Sequence, residues 1–391
     1  MVTQRDVPWL SGMALALLAG CSCDSGPVGP GTDAGLGRED APAVVDAPAS
    51  ELDAPLLDGA LSDAAVEPDA AALDAGPREC PLPPACDAPY PDLGATSSWR
   101  HSIATPITVG MGAPRHRGRD LFLTETDPQW ALAKFAYGVA DDDLKDEDVD
   151  LYLDRGCSGA WEMLGTAATT NDGDHATVEG VEDTGGRIFF EIPSELRLEP
   201  GRHRVLFVVR GDHSVAEQWI DVLPASTRFV VTDVDGTQTE SETAAWASLL
   251  TGSGPAAQPH GAEALHAFAR RGYRIFYLTA RPEWLEARTH EWLVELGYPP
   301  GLVHTTLGFT GATEGPAETF KTEELAALEA RFPGAIAWGI GNTRTDAASY
   351  VTTGLPADHI VSYRFDGAGA TRMDDYAELV TIAEGLPAIC E

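Results

Sequence analysis

From Pro224 to the C-terminus, short apolar runs alternate with longer segments whose apolar residues recur at helical spacing. The runs predict strands at 229–232, 275–278, 303–306, 335–340 and 360–363. The segments between them predict helices at 261–271, 283–296, 320–331 and 345–351. Strand and helix in repetition predict a parallel, doubly wound α/β sheet over residues 226–391. The C-terminal ends of its first, second and fourth strands then face one shared pocket.

Residues 97–225 have a different pattern, in which short alternating runs are broken by Gly, Asp and Pro. Examples are the runs at 151–153, 187–192 and 203–209. Regular spacing of such runs predicts an antiparallel β-sandwich, with a role in support or presentation. Arg210-Gly211-Asp212-His213 is interpreted as a tight turn between two strands, in preference to a catalytic role for His213.

The first 20 residues have the pattern of a signal peptide. An apolar run at 9–20 is too short to span a bilayer as a helix, follows a short start carrying Arg5 and ends in small residues. Leu18-Ala19-Gly20-Cys21 resembles the bacterial lipobox, which predicts that Cys21 is lipidated and becomes the mature N-terminus. The alternative is an ordinary secretory signal with an incidental cysteine, because Asp6 offsets the charge of Arg5.

Residues 21–96 form a segment rich in Ala, Asp and Pro. Between Cys21 and Cys80 there are thirteen acidic residues, two basic ones and no aromatic residue. Such a composition cannot offset the entropy of ordering, so we predict a disordered linker. Repulsion between its like charges extends the linker, which would hold a folded body away from a membrane surface.

Composition narrows the possible partners. The chain has 391 residues and a formal net charge of −35, which speaks against binding nucleic acid and against a polybasic grip on anionic lipid. Six cysteines are too few for a disulfide-dense scaffold, and no CxxC pattern indicates structural zinc. In an oxidising compartment Cys80 could pair with Cys86, and Cys157 with Cys390, although sequence does not fix the connectivity.

Chemically active side chains follow the predicted strands. Phe229–Val231 leads into Asp233 and Asp235, and Gly236 then allows a sharp turn. One carboxylate can attack phosphorus and the other can protonate the leaving oxygen and then activate water. The remaining candidates supply a hydroxyl and an ammonium for phosphoryl oxygens and hard oxygen ligands for Mg²⁺, and they are Thr279, Lys321, Asn342 and Asp346.

This ordered set resembles the haloacid dehalogenase superfamily and, within it, the catalytic domain of lipins (Lipin/Ned/Smp type), the Mg²⁺-dependent phosphatidate phosphatases. Residues 233–237 match the DxDGT motif, Thr279 the second motif, Lys321 the third, and 341–346 the lipin form of the fourth. The resemblance implies a minimal-cap Rossmann-like fold with Asp233 as nucleophile and Asp235 as general acid/base. It also implies a substrate site at Gly236, Thr279, Ala280 and Lys321, and Mg²⁺ ligands among Asp233, Asp235, Asn342 and Asp346.

A second resemblance covers more of the chain. Residues 203–367, including 208–214 and 277–282, are similar to the C-terminal region of RdgB-type, membrane-associated phosphatidylinositol transfer proteins. The version of this domain in those proteins binds phosphatidic acid and lacks the first acid of the motif. Asp233 is present here, so the chain combines the layout of the transfer proteins with the catalytic set of the lipins.

Several residues have a plain structural interpretation beside a functional one. Lys321 could be an ordinary helix-surface lysine, and Arg281 could merely cap or pair on the following helix. Trp284 and Trp292 lie at helical spacing and are expected in the core rather than in a lipid cradle. We expect His260, just before a helix, to be a turn residue.

Together these patterns predict an Mg²⁺-dependent phosphohydrolase that acts on phosphatidic acid or a related phosphomonoester through an aspartyl-phosphate. The stretch after Thr237 is too short for a large cap domain, so the pocket should be open to a bulky substrate. The lipobox resemblance places the protein in the cell envelope, anchored at Cys21 to the outer membrane or its periplasmic face. The alternative is a non-catalytic phosphatidic-acid-binding module of the transfer-protein type.

Overall fold

The structure, a computed structural model, describes residues 79–241 and 254–390. The predicted signal peptide, the lipidation site Cys21 and residues 21–78 of the predicted linker lie outside the described residues. Residues 242–253, within the stretch that follows Thr237, lie outside them as well. All described residues belong to one unit, Asp69–Glu391.

The N-terminal part of the described chain forms two sheets packed on a common core. Its elements are α1 (Ala104–Val109), β1 (Arg117–Gly118), β2 (Leu121–Leu123), β3 (Trp130–Lys134), β4 (Ala136–Tyr137), β5 (Asp142–Asp143), β6 (Asp148–Asp154), β7 (Trp161–Ala168), β8 (Arg187–Glu191), β9 (Gly201–Val209) and β10 (Val215–Val222). One sheet has the order β1-β3-β8 and the other β2-β10-β9-β6-β7, while β4 pairs with β5. Apolar side chains of both larger sheets form one buried cluster. This is the predicted sandwich, and alternate residues of β6 point into its core.

Two features of the sandwich differ from the prediction. Strand β2 pairs with β10 in parallel, whereas the other pairs of the sandwich are antiparallel. Strands β1 and β2 are only two residues apart but belong to different sheets, so the chain crosses between the sheets at this point. Helix α1 was not predicted either. The segment 210–213 is the expected turn between β9 and β10.

The C-terminal part forms a six-stranded parallel sheet. Its strands are β11 (Phe229–Thr232), β12 (Arg274–Leu278), β13 (Gly301–His304), β14 (Ile336–Gly341), β15 (Ile360–Tyr363) and β16 (Thr371–Met373). They lie in the order β13-β12-β11-β14-β15-β16, and every pairing is parallel. All four residues of β11 are buried, as expected for a strand covered on both faces.

Five helices of the described residues connect and cover these strands. They are α2 (Gly261–Arg270), α3 (Glu286–Glu295), α4 (Glu314–Arg331), α5 (Arg344–Thr352) and α6 (Tyr376–Gly385). Two separate apolar clusters contain side chains of the sheet, one with those of α2 and α6 and the other with those of α4. The chain crosses from edge strand β13 to β14, beside the central β11, so the strand order reverses there. In open α/β sheets, ligands bind at such a switch point, next to the carboxyl ends of the strands.

The predicted elements are present with shifted ends. Helix α4 begins at Glu314, six residues earlier than predicted, because Pro316 is compatible with a first helical turn. Lys321 therefore lies within α4 and does not open it. The predicted helix at 283–296 begins as a 3-10 turn at Glu283–Leu285 before α3. Strand β16 and helix α6 were not predicted. Among the described residues, no helix combines the length and apolar character needed to cross a bilayer.

Two disulfides fix the segment that precedes the sandwich. Cys80 pairs with Cys390 and Cys86 with Cys157, so both pairings considered from the sequence, Cys80–Cys86 and Cys157–Cys390, are wrong. The reason is that the segment runs along the folded body, where the amide of Cys80 donates to the carbonyl of Arg270. Residues 79–96, which the sequence assigned to the linker, are therefore part of the folded body.

A buried ion cluster joins the two domains. Nε2 of His290, on α3, lies 2.9 Å from Oδ2 of Asp120 in the sandwich and 3.1 Å from Oε1 of Glu286. The amides of Trp219 and Val303 each donate to Asp120 at 2.9 Å. Burial alone would lower the pKa of His290, but Asp120 and Glu286 outweigh it and raise that pKa to about 10. The imidazolium is therefore an integral charge of the interface.

We expect the free energy of unfolding to fall as the pH rises from about 7 to about 10. The stabilisation from protonated His290 is fully present below the ordinary histidine pKa of 6.5 and is lost through about 10. Since a tenfold change in an ionisation constant is worth about 1.4 kcal/mol, the shift from 6.5 to about 10 corresponds to a loss of at most about 5 kcal/mol. Denaturant titrations measure it. In His290→Gln the free energy of unfolding should depend less on pH, whereas the control His260→Gln, at an exposed site, should keep the dependence. An unchanged slope in His290→Gln would show that His290 is not its cause.

Candidate active site

The turn after β11 brings two carboxylates to the switch point. The amide of Asp233 donates to the carbonyl of Ile340 on β14, which fixes the nucleophile candidate between the two central strands. Gly236 has a φ of 73°, in the left-handed region that a side chain would strain, and the chain turns there. Asp233 is buried, whereas the Asp235 side chain keeps 22% of its surface exposed.

Lys321 connects Asp233 with Asp346. Its Nζ lies 2.6 Å from Oδ1 of Asp233 and also contacts Oδ1 of Asp346. All three side chains are buried. An ordinary helix-surface lysine would be solvated, so the structure rejects that interpretation of Lys321. The ammonium instead separates two carboxylates that would otherwise repel each other in a poorly solvated site.

The fourth motif is shaped by the start of α5. Thr343 is its N-cap, and Oδ2 of Asp346 accepts from the Thr343 amide, so the two residues form a capping box. This box directs the other oxygen of Asp346 toward Lys321. A Cβ at position 341 would collide with the Asp346 side chain, which explains the glycine there. Asn342 stands beside this box and accepts at Oδ1 from the Thr237 hydroxyl at 2.8 Å.

Asp235 is held by a different cation. The Nε and Nη2 atoms of Arg281 donate to its two carboxylate oxygens, each at 2.8 Å. The hydroxyl of Thr279 also donates to Asp235, at 3.2 Å. Nη1 of Arg281 donates to Thr289 on α3, so this arginine both pairs on the following helix and grips a site carboxylate. The sequence left that second role undecided.

Burial dominates the electrostatics of Asp233. It raises the pKa of Asp233 to about 7, against the lowering effect of Lys321 and with a further increase from Asp346. For Lys321, burial acts to lower the pKa, but the two carboxylates outweigh it and raise it. The site therefore carries more negative charge than its two paired cations neutralise.

The predicted residues surround an open cavity of about 430 Å³. Five predicted site residues line it, namely Asp233, Asp235, Thr279, Ala280 and Lys321. Asp346 does not line the cavity, but it contacts Lys321, which does. Gly236 does not line the cavity, and its amide donates to the Thr239 hydroxyl instead of facing a ligand. Further lining comes from Arg281, Arg344 and the loop at 310–314, which the sequence did not single out for substrate.

The remaining singled-out residues have structural surroundings. Trp292 is buried in the core, as expected. Trp284 is only half-buried, because it lies at the surface, where its indole donates to the carbonyl of Phe309 and Arg115 stacks on its ring. His260 is the N-cap residue of α2, with a φ of 60°, and pairs with Glu263.

The donor set fits a magnesium ion. Four carboxylates line or adjoin the cavity against three cationic groups: the acids are Asp233, Asp235, Glu314 and Asp346, and the bases Arg281, Lys321 and Arg344. A phosphomonoester dianion would enter an environment of excess negative charge, which a divalent cation offsets. Carboxylates and the Asn342 amide are the hard oxygen donors that Mg²⁺ prefers.

The fold and its order of domains define a class of protein. Residues 114–222 match the family model described as "PITM 1-3, beta-sandwich domain", and residues 230–363 match "PITM 1-3, LNS2 domain". The chain thus has a β-sandwich domain followed by an LNS2 domain, which is a haloacid-dehalogenase-like, phosphatase-related module.

Three relatives illustrate the similarity. Human membrane-associated phosphatidylinositol transfer protein 2 is 34% identical over 48% of this chain and 13% of its own length. Mouse membrane-associated phosphatidylinositol transfer protein 3 is 30% identical over 66% of this chain and 24% of its own. Drosophila melanogaster protein retinal degeneration B is 29% identical over 66% and 19%. The chain thus spans a quarter or less of these relatives.

Proposed function

We propose that this protein is an Mg²⁺-dependent phosphohydrolase that cleaves a phosphomonoester, most simply phosphatidic acid or a related phospholipid. One observation supports this proposal above the others. Asp233 lies at the switch point of the sheet, in contact with Lys321, in a cavity that also receives Asp235. In a pocket that only bound a lipid phosphate, a buried carboxylate beside that phosphate would weaken binding by charge repulsion.

In the first step, an oxygen of Asp233 attacks phosphorus as the bond to the leaving oxygen breaks. Lys321 and Thr279 hold the phosphoryl oxygens, and Asp235 delivers its proton to the leaving alcohol. The carboxylate that results accepts from Arg281 at both of its oxygens, as it does in the structure.

In the second step, Asp235 takes a proton from water and the oxygen of that water attacks the aspartyl-phosphate. The bond between phosphorus and Asp233 breaks, and inorganic phosphate leaves. Asp233, Asp346, Asn342 and the carbonyl of Asp235 are the groups that would hold Mg²⁺. When bound, the ion supplies charge neutralisation for the phosphoryl group.

The cavity and the names of the relatives support this choice of substrate class. A space of about 430 Å³ is ample for a glycerophosphate headgroup, and its open mouth leaves acyl chains outside. Two of the relatives above are named for transfer of phosphatidylinositol and for association with membranes. A phospholipid is therefore the substrate that we propose to test first.

We further propose that the protein works in the cell envelope, anchored through Cys21. The two disulfides support an oxidising compartment, since such bonds persist mainly outside the cytoplasm. A single acyl chain anchors only reversibly, so stable attachment requires the additional chains of a lipoprotein. The acidic composition of the chain excludes a polybasic contribution.

Phosphate release from short-chain phosphatidic acid tests the proposed activity. We expect release with millimolar Mg²⁺, loss of release in excess EDTA, and recovery when Mg²⁺ is restored. The physical reason is the excess negative charge around Asp233, which opposes entry of a dianion. Retained lipid binding without release under either condition would contradict the enzyme assignment and support the non-catalytic phosphatidic-acid-binding module.

A further inference from the structure

A carboxylate of the LNS2 domain is buried between two arginines of the sandwich. Oε2 of Glu283 lies 3.0 Å from Nη2 of Arg117, and its Oε1 lies 2.8 Å from Nη1 of Arg187. Nη2 of Arg187 donates to Oε2 as well, at 3.1 Å. All three side chains are almost completely buried. Burial acts against ionisation of Glu283, yet the two guanidinium groups outweigh it and lower the pKa of this carboxyl.

The two arginines sit on a rigid part of the sandwich. In the sheet β1-β3-β8, Arg117 is directly opposite Lys134, and Lys134 is directly opposite Arg187. Their side chains therefore come from one row across three adjacent strands. Arg117 is fixed further by Asp141, which accepts from both of its terminal nitrogens at 2.7 Å. The sandwich thus presents a preformed pair of cations to Glu283.

Glu283 is separated by one residue from Arg281, which grips both oxygens of Asp235. The backbone between them is tied down on the other side by the segment after β13. The amide of Glu283 donates to the carbonyl of Gly308 at 3.1 Å. The amide of Thr306 donates to the carbonyl of Arg281 at 3.0 Å. Arg281 and Glu283 thus belong to one short backbone segment, which is held between the sandwich on one side and residues 306–308 on the other.

We propose that the sandwich is part of the active site's supporting structure, and that Arg117 and Arg187, through Glu283, position Arg281 and hence Asp235. This inference rests on the proposed phosphohydrolase function. Glu283 touches no substrate in this scheme and is a positioning residue. If the sandwich only supported or presented the LNS2 domain as a whole, which is the expectation from the sequence, proton transfer by Asp235 would not depend on the contact of Glu283 with the two arginines.

Leaving-group dependence in Glu283→Gln separates positioning from stability. Asp235 must protonate the alkoxide that leaves phosphatidic acid, whereas p-nitrophenolate leaves without such help. We expect kcat/KM for short-chain phosphatidic acid to fall about tenfold or more relative to kcat/KM for p-nitrophenyl phosphate, since general acid catalysis contributes about 10²–10⁴-fold. A smaller fraction of folded enzyme lowers both values equally and leaves their ratio unchanged.

Arg281→Lys should change the ratio in the same direction, because lysine keeps the charge but cannot form the two-pronged contact. The matched control is Glu179→Gln, which removes the same charge from another contact between the domains, the pair of Glu179 with Arg331. Arg331 is ten residues beyond Lys321 on α4, about 15 Å along the helix. This control should lower stability and leave the ratio unchanged.

If Glu283→Gln does not fold, Arg187→Gln weakens the same contact from the sandwich side while Arg117 still pairs with Glu283. An unchanged ratio in these variants, with an active wild type, would overturn the positioning role and leave the proposed function standing. Absence of phosphate release by the wild type from both substrates would overturn the proposed function, and this inference with it. The two failures are thus distinguishable.

Discussion

Asp233→Asn is expected to abolish phosphate release while the protein stays folded. An amide cannot form the aspartyl-phosphate, so the loss should be on the order of 10³-fold or more, as for other residues that form the covalent intermediate. Phosphate release from short-chain phosphatidic acid at saturating Mg²⁺ measures it. Asp375→Asn, which changes an N-cap residue of α6 away from the cavity, is the matched control and should keep activity.

The fold should tolerate this change because Asp233 is a costly charge. Burial raises its pKa to about 7, so its ionised form is disfavoured in the folded state. After substitution, Lys321 still has Asp346 as a partner, and one acid then faces one base. Thermal unfolding should thus give a midpoint at or above that of the wild type. Activity that survives in Asp233→Asn would show that the nucleophile assignment is wrong.

The doubly wound sheet could be predicted because its strands are short, apolar and regularly spaced. The continuous apolar run at 229–232 indicated a strand covered on both faces, and all four residues of β11 are indeed buried. Strand β16 was missed because two of its three residues are exposed, so it carries no apolar signal. The parallel pair of β2 with β10 depends on a crossing between sheets, which periodicity does not encode.

The candidate site was predictable where chemistry lies at strand ends. Asp233, Asp235 and Thr279 meet because parallel strands place their carboxyl ends at one edge. Lys321 reaches the same edge from within α4. Contacts between domains could not be predicted in this way. The Glu283 contact with Arg117 and Arg187 spans 166 and 96 residues of sequence, and no local pattern signals it. The disulfides escaped prediction for the same reason, since they depend on where the N-terminal segment lies.

Lys321→Met is expected to lower both stability and activity. Removal of the Lys321 ammonium leaves the carboxylates of Asp233 and Asp346 buried near each other without the cation that both of them contact. Breaking one partner from a buried ion network costs about 3–5 kcal/mol, and loss of a charge that holds the phosphoryl oxygens should reduce kcat about 10²-fold or more. Denaturant unfolding and phosphate release measure the two effects.

The loss of stability should shrink as the pH falls, which tests its electrostatic origin. Burial already raises the pKa of Asp233 to about 7 with the ammonium in place, so one of the two carboxylates should take up a proton readily without it. A carboxyl group whose pKa is higher in the folded than in the unfolded state makes the protein less stable as the pH rises above the unfolded pKa. The variant should therefore regain stability as the pH is lowered from about 8 to about 5.5. Lys145→Met removes a half-exposed ammonium that pairs with Asp172, and it should cost less than about 1 kcal/mol with little pH dependence. Equal slopes for the two variants would contradict this account, because steric loss of the lysine side chain has no titrating group.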